Sequence, residues 1–126
     1  MSNKYVFMEF QTERLKNKAK DKEWLEVAIE ATDKCIEHWI EDCLEKNKVM
    51  RGDECDYCIN FHDCDSCLLF IIGEYCHNRY SLYFDWADMY RKSKDNNKYI
   101  SEVKEAGARM VDALMAIRKV LIEELN

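Results

Sequence analysis

The sequence predicts a mainly α fold, with an antiparallel pair of long helices, a Cys-rich insert between them and a short third helix. Three observations predict it. The 126 residues contain no Pro and only three Gly, so the residues that punctuate β-hairpins are nearly absent and an all-β sandwich or barrel is disfavoured. Two stretches, residues 21–47 and 98–125, repeat apolar side chains at the helical period. Between them lie five of the seven Cys, within residues 55–76, where no period is sustained. A chain of this length is expected to form a single domain, residues 1–126, burying roughly two-thirds of its unfolded surface. The cysteines are therefore not needed to replace a missing core.

Residues 4–10, KYVFMEF, alternate loosely and are rich in β-formers. A lone strand finds no second strand to pair with, so the expected form is a hydrophobic segment laid across helices. Thr12 is the expected N-cap of a basic, polar helix ending near Lys20. Leu15 and Ala19 do not continue the stripe that follows, which predicts a break near Asp21, with Asp21 capping the new start. From there Trp24, Leu25, Ala28, Ile29, Thr32, Cys35, Ile36, Trp39, Ile40 and Cys43 share about half the circumference of a helix. Glu26, Glu30, Asp33, Lys34, Glu37, Glu41 and Glu45 take the other half, with His38 on the polar side.

Residues 48–80 form the Cys-rich insert. Its one apolar run, Leu68 to Gly73, is expected to make a helical turn or short helix ended by Gly73. Ser81 caps a short helix over residues 82–92, with Leu82, Trp86, Met89 and Tyr90 on one side and the polar stretch Ser93–Asn97 breaking it. The last helix, 98–125, carries a stripe of Tyr99, Val103, Ala106, Gly107, Met110, Leu114, Ile117, Leu121 and Leu125. Gly107 on that stripe admits a close neighbour. Two such helices joined by an irregular insert should pack antiparallel.

No window approaches the roughly 18 consecutive apolar residues of a membrane span, and the N-terminus lacks the sections of a secretory signal. The expectation is a soluble, cytoplasmic chain without membrane contact, whose thiols stay reduced. An odd number of Cys suits that setting, since a full disulfide framework would leave one thiol over.

The insert reads Cys55-Asp-Tyr-Cys58-Ile-Asn-Phe-His-Asp-Cys64-Asp-Ser-Cys67, two CxxC pairs five residues apart. A CxxC brings two thiolates to one ion while backbone amides donate to the sulfurs, and two pairs complete the tetrahedron that zinc prefers. The expected site is a compact Zn²⁺ knuckle on Cys55, Cys58, Cys64 and Cys67. Cys76, His62 and His77 are alternative ligands, with Cys76 first among them as a replacement for Cys64 or Cys67. Four thiolates leave no open position for water, so such a site is structural and its binding energy is folding energy. An iron-sulfur cluster takes the same ligands and is the alternative cofactor. A thioredoxin-like redox role ranks third, since no βαβ context surrounds the motif. Cys35 and Cys43, on the helical stripe, are expected core thiols. Nucleophile elbow, phosphate loop, HExxH helix and dinucleotide fingerprint are all absent, so enzymatic activity is not expected.

Net charge is −6, unevenly spread. Residues 1–22 hold six bases against three acids. Residues 53–90 hold eight acids against one base, Arg79, together with nine of the fifteen aromatic residues. Such a segment repels a phosphate backbone and attracts a basic partner. Asp56, Asp63, Asp65, Tyr57, Tyr83 and Trp86 are the expected partner contacts.

The chain resembles a group of small cysteine-rich proteins encoded by bacteriophages, mostly of unassigned function. Their pattern runs from a Trp-containing amphipathic helix into CxxC, a short spacer, CxxC-Pro, a further Cys, and Thr-Pro-Tyr-x-x-Trp opening another helix. Cys55, Cys58, Cys64, Cys67 and Cys76 correspond here, followed by Ser81-Leu82-Tyr83-Phe84-Asp85-Trp86. The likeness extends over about residues 24–120, its specific part being 55–86. Leu68 and Leu82 stand where the pattern has prolines. The resemblance implies a metal knuckle between helices and a phage origin, and supplies no catalytic residue.

Together these readings lead to the expectation of a non-enzymatic, zinc-stabilised acidic protein that binds a basic surface on a host or antiviral-defence protein, an anti-CRISPR or other anti-defence role included. The alternative is a zinc-dependent nucleic-acid binder using the bases from Arg14 to Lys22, a use that the acidic remainder of the chain disfavours.

Overall fold

The computed structural model describes residues 8–41, 68–72 and 81–125. These form helices α1 (Glu9–Ala19), α2 (Lys22–His38), α3 (Leu68–Ile71), α4 (Leu82–Asp95) and α5 (Ile100–Leu125), with a 3₁₀ turn at Asn97–Tyr99 before α5. No strand occurs among the described residues. The mainly helical class is as expected.

Helix α1 starts earlier than the expected Thr12 cap. Its N-cap is Met8, and Gln11 reaches back so that its Oε1 accepts from the Met8 backbone N–H at 2.8 Å. This is the Gln half of a capping box. The Gln11 amide nitrogen donates to the Ile72 carbonyl, tying α1 to the residue that follows α3. A buried long-range acceptor therefore sets this helix start, and Thr12 becomes an ordinary residue of the first turn.

The break near Asp21 is present. Asp21 Oδ1 accepts from the backbone N–H of Glu23 at 3.1 Å and of Trp24 at 3.2 Å, satisfying two donors that the helix leaves without partners. Along α2, Leu25, Ala28, Thr32, Cys35 and Ile36 are buried as the period requires, and Ala31 joins them. Glu26, Glu30, Asp33, Lys34 and Glu37 are exposed, whereas His38 is half-buried. The helix widens into a π turn over residues 39–41, and the remainder of the expected long helix, residues 42–47 with Cys43, lies outside the described residues.

Leu68 to Ile71 forms the expected short helix, with Leu68, Ile71 and Ile72 buried, while Gly73 lies outside the described residues. Ser81 caps α4 as expected, its hydroxyl accepting from the Phe84 N–H at 3.1 Å. The expected end at residue 92 is corrected, because α4 continues to Asp95. An Asp88–Lys92 ion pair at 3.2 Å and a 2.6 Å bond from Ser93 Oγ to the Tyr90 carbonyl support the extra turn. Lys92 and Lys94 also favour the negative end of the helix dipole. Asn96, with φ −153°, ends the helix, and its side chain accepts from Lys98 N–H to open the 3₁₀ turn.

Helix α5 packs against α1, α2 and α4. Val103, Ala106, Gly107, Met110, Leu114, Ile117 and Leu121 are buried along its stripe, joined by Ala113 and Val120. Each large aliphatic side chain so buried contributes about 1.5–3 kcal/mol. Leu125, placed on the stripe by its period, is exposed in the last turn. Buried residues of all five helices form one cluster. At the surface, Arg118 Nε donates to Asp33 Oδ1 at 2.6 Å, joining the two long helices.

Candidate metal centre and its aromatic flank

The expected ligands Cys55, Cys58, Cys64 and Cys67, and the alternatives Cys76, His62 and His77, lie outside the described residues, as do Asp56, Tyr57, Asp63 and Asp65. Among the described residues, no group of three or more His, Cys, Asp and Glu is arranged to hold a metal ion. Cys35 is fully buried in the core, the place its helical position implies.

Three points of the scaffold border the Cys-rich sequence. Leu68, directly after Cys67, is fully buried, and Gln11 holds the carbonyl of Ile72. Ser81, the first described residue after Ile72, is buried and caps α4. On the other side, α2 delivers Trp39 to a position 1% exposed, two residues before Glu41.

Trp39 meets the first turns of α4. Its ring lies edge-on to Trp86, centroids 4.8 Å apart at 75°, and to Tyr83, 6.1 Å apart at 85°. Trp86 also stacks obliquely with Tyr83 at 5.9 Å and with Tyr90 at 5.5 Å. Edge-to-face and offset pairs of this kind add about 0.5–1.5 kcal/mol each beyond the area they bury. The cluster thus locks the end of α2 onto the start of α4.

Trp86 is 1% exposed, which corrects its assignment as a partner contact, because a side chain enclosed by Trp39, Tyr83 and Tyr90 offers no area to another protein. Tyr83 is half-buried in the same cluster. The exposed aromatic of this helix is Phe84, beside exposed Asp85, a pair that sequence reasoning passed over. Its signal was positional: on a helix whose inner face is Leu82, Trp86 and Tyr90, Phe84 points the other way.

The Trp86 indole N–H is buried and has no hydrogen-bond partner among the described residues. A donor left in this state costs about 1–3 kcal/mol.

Around the turn between α1 and α2, Lys16, Lys18, Lys20 and Lys22 are exposed. An open cleft there is lined by Lys16, Asn17 and Lys20, but also by the carboxylates of Glu13 and Glu124. Arg14 lies over the Phe10 ring, 5.3 Å from its centroid. The basic residues thus sit among acids and do not make an unbroken positive stripe.

No helix among the described residues is long and apolar enough to cross a membrane. No protein-family model, curated protein or solved structure matches this chain.

Proposed function

We propose that this chain is a non-enzymatic, zinc-stabilised helical protein of phage type that binds the basic surface of a host or antiviral-defence protein and inhibits or modulates it. One observation carries the reading: within residues 53–90, two CxxC pairs coincide with eight acids against one base and with nine of fifteen aromatic residues. Zinc held by Cys55, Cys58, Cys64 and Cys67 adds a closed, electron-rich centre to that acidic sequence and supplies folding energy, with no open position for chemistry. The carboxylates steer a basic partner into encounter, and aromatic side chains supply contact area. Exposed Phe84 and Asp85 support this division of labour by continuing the acidic, aromatic character onto the outer face of α4.

The scaffold in this proposal is an antiparallel long-helix pair carrying the knuckle at one end. Two contacts support the direction. Lys20, just before α2, shares a cleft with Glu124 near the end of α5, and Asp33, farther along α2, pairs with the earlier Arg118.

The test combines metal analysis of the purified chain with an unbiased pull-down from bacterial lysate. The expected result is one zinc per chain and a retained basic protein, released at high salt and by Asp56→Lys with Asp63→Lys and Asp65→Lys. Retention unchanged by salt and by these substitutions would overturn the acidic-surface reading. Nucleic-acid binding is the second reading, favoured only by the exposed lysines of α1 and the turn after it. A salt-dependent mobility shift abolished by neutralising Lys16, Lys18, Lys20 and Lys22 would promote it.

A further inference from the structure

The two long helices carry a second apolar line, outside the core. On α2 and the π turn that follows it, Ile29, Asp33, Ile36 and Ile40 succeed one another at spacings of four, three and four residues. Val111, Met115, Arg118 and Ile122 repeat those spacings on α5. Side chains so spaced stand one above another along a helix. The Arg118–Asp33 contact at 2.6 Å sets the register between the two lines. With the helices opposed in direction, it brings Ile29 level with Ile122, Ile36 with Met115 and Ile40 with Val111. The spacing is that of a coiled-coil seam, yet this seam is part open. Ile36 is buried, Ile29, Ile40, Val111 and Ile122 are half-buried, and Met115 is 49% exposed. At 1.5 Å per residue the seam runs for about 16 Å, roughly three helical turns. Lys22 and Lys104 stand a heptad beyond its two ends.

The rim of the seam is acidic. Glu26 and Glu37, three residues from Ile29 and Ile40, are exposed, and Asp112, three residues before Met115, is half-buried. None of these three makes an ion pair among the described residues, whereas Glu30 is held by Lys34. One carboxylate oxygen of Asp112 is buried with no hydrogen-bond partner among the described residues, an acceptor in want of a donor. Against these acids the same rim carries one base, Lys119.

We propose that the α2–α5 seam is a docking groove for a basic amphipathic helix of a partner protein. The inference rests on the basic partner of the reading above and seats that partner on the helical scaffold. Two properties select the occupant. Part-open apolar side chains at a helical repeat match the anchors that a helix lying along a groove presents at positions i, i+4 and i+7. Unpaired carboxylates on both walls call for cations flanking those anchors. A second copy of the chain fits worse, because two facing seams set acidic rim against acidic rim, and like charges in contact oppose pairing. Met115 lies near the middle of the groove and is its most exposed apolar residue; its unbranched thioether adapts to the shape of an incoming side chain. The apolar line supplies contact area and the rim carboxylates supply orientation and speed of encounter.

The probe is a synthetic, fluorescein-labelled peptide of about four helical turns, with Leu at the four-three-four spacing and Lys elsewhere. A peptide of the same composition in scrambled order is the control. Binding to the full chain is followed by fluorescence anisotropy, folding of each variant by circular dichroism, and self-association by sedimentation velocity. Wild type is expected to bind the patterned peptide and not the scrambled one. Met115→Glu, and Glu26→Lys together with Glu37→Lys, are each expected to lose about tenfold or more in affinity with helical content unchanged. Met115→Ala, which removes contact area without adding charge, is the second variant should Met115→Glu fail to fold, and is expected to weaken binding in the same direction. No binding, equal binding of the scrambled peptide, or wild-type affinity in these variants overturns the inference. A wild type that self-associates and a Met115→Glu that does not would give the seam to a second copy and overturn it as well. Asp56→Lys with Asp63→Lys and Asp65→Lys separates this inference from the reading it rests on. Binding lost in that variant and kept in the seam variants overturns the groove alone, and the reverse result supports the groove and overturns the site proposed within residues 53–90.

Discussion

Gln11 offers the sharpest test of how the scaffold holds the border of the Cys-rich sequence. It is a polar side chain only 6% exposed, and both ends of its amide are used. Oε1 accepts from Met8 N–H, and Nε2 donates to the Ile72 carbonyl, 61 residues away in sequence. Gln11→Ala removes both bonds with different consequences. Met8 is exposed, so its N–H turns to water at a cost of about 0.5–1 kcal/mol. Ile72 is 2% exposed, so its carbonyl is left buried without that donor, at about 1–3 kcal/mol. The total expected loss is about 1.5–4 kcal/mol, or a Tm lower by roughly 6–16 °C in a chain of this size. Urea unfolding followed by far-UV circular dichroism measures it. Gln11→Glu separates the two bonds. It keeps an acceptor for Met8 and places negative charge at a helix N-terminus, worth about 0.3–1 kcal/mol in its favour. It cannot donate to Ile72 when ionised, and it sets a carboxylate oxygen against that carbonyl. If the long-range bond is the important one, Gln11→Glu falls with Gln11→Ala. A wild-type-like Gln11→Glu, or a Gln11→Ala within 0.5 kcal/mol of wild type, would refute the reasoning.

Three further substitutions test the rest of the scaffold. Arg118→Ala removes the 2.6 Å pair with Asp33, but both side chains are nearly half exposed, so a cost of about 1 kcal/mol or less, shrinking with added salt, is expected in urea unfolding; a loss above about 1.5 kcal/mol contradicts this. Ser81→Ala deletes the cap of α4 and should cost about 1 kcal/mol by the same measurement, with no loss arguing that the cap bond is dispensable. Leu114→Ala, in the fully buried face of α5, should cost about 2–5 kcal/mol, while its neighbour Met115→Ala, 49% exposed, stays within about 0.5 kcal/mol; equal effects would mean that the face of α5 is wrongly assigned.

What was legible in the sequence divides by the range of the interaction. The Asp21 and Ser81 caps bond to backbone two or three residues on, and such bonds can be read from residue type alone. The stripes of α2 and α5 were legible because burial at the helical period is a property of one helix, whatever it packs against. The start of α1 was not, because Gln11 is held by Ile72 and no local feature of residues 8–12 announces a partner so distant. Residues 93–95 read as a breaker on polarity, yet Ser93 bonds to Tyr90 and Lys92 to Asp88 within the helix, so polar composition here marks helix-stabilising pairs. Trp86 sets two signals against each other: acidic neighbours suggested a surface contact, while its period, shared with Leu82, Met89 and Tyr90, placed it inward. The period prevailed, because a helix fixes where a side chain points before charge can act on it. For the candidate site the same division applies. Two CxxC pairs predict a metal chemistry through local spacing, whereas the choice of four ligands from five cysteines would be a tertiary decision that spacing leaves open.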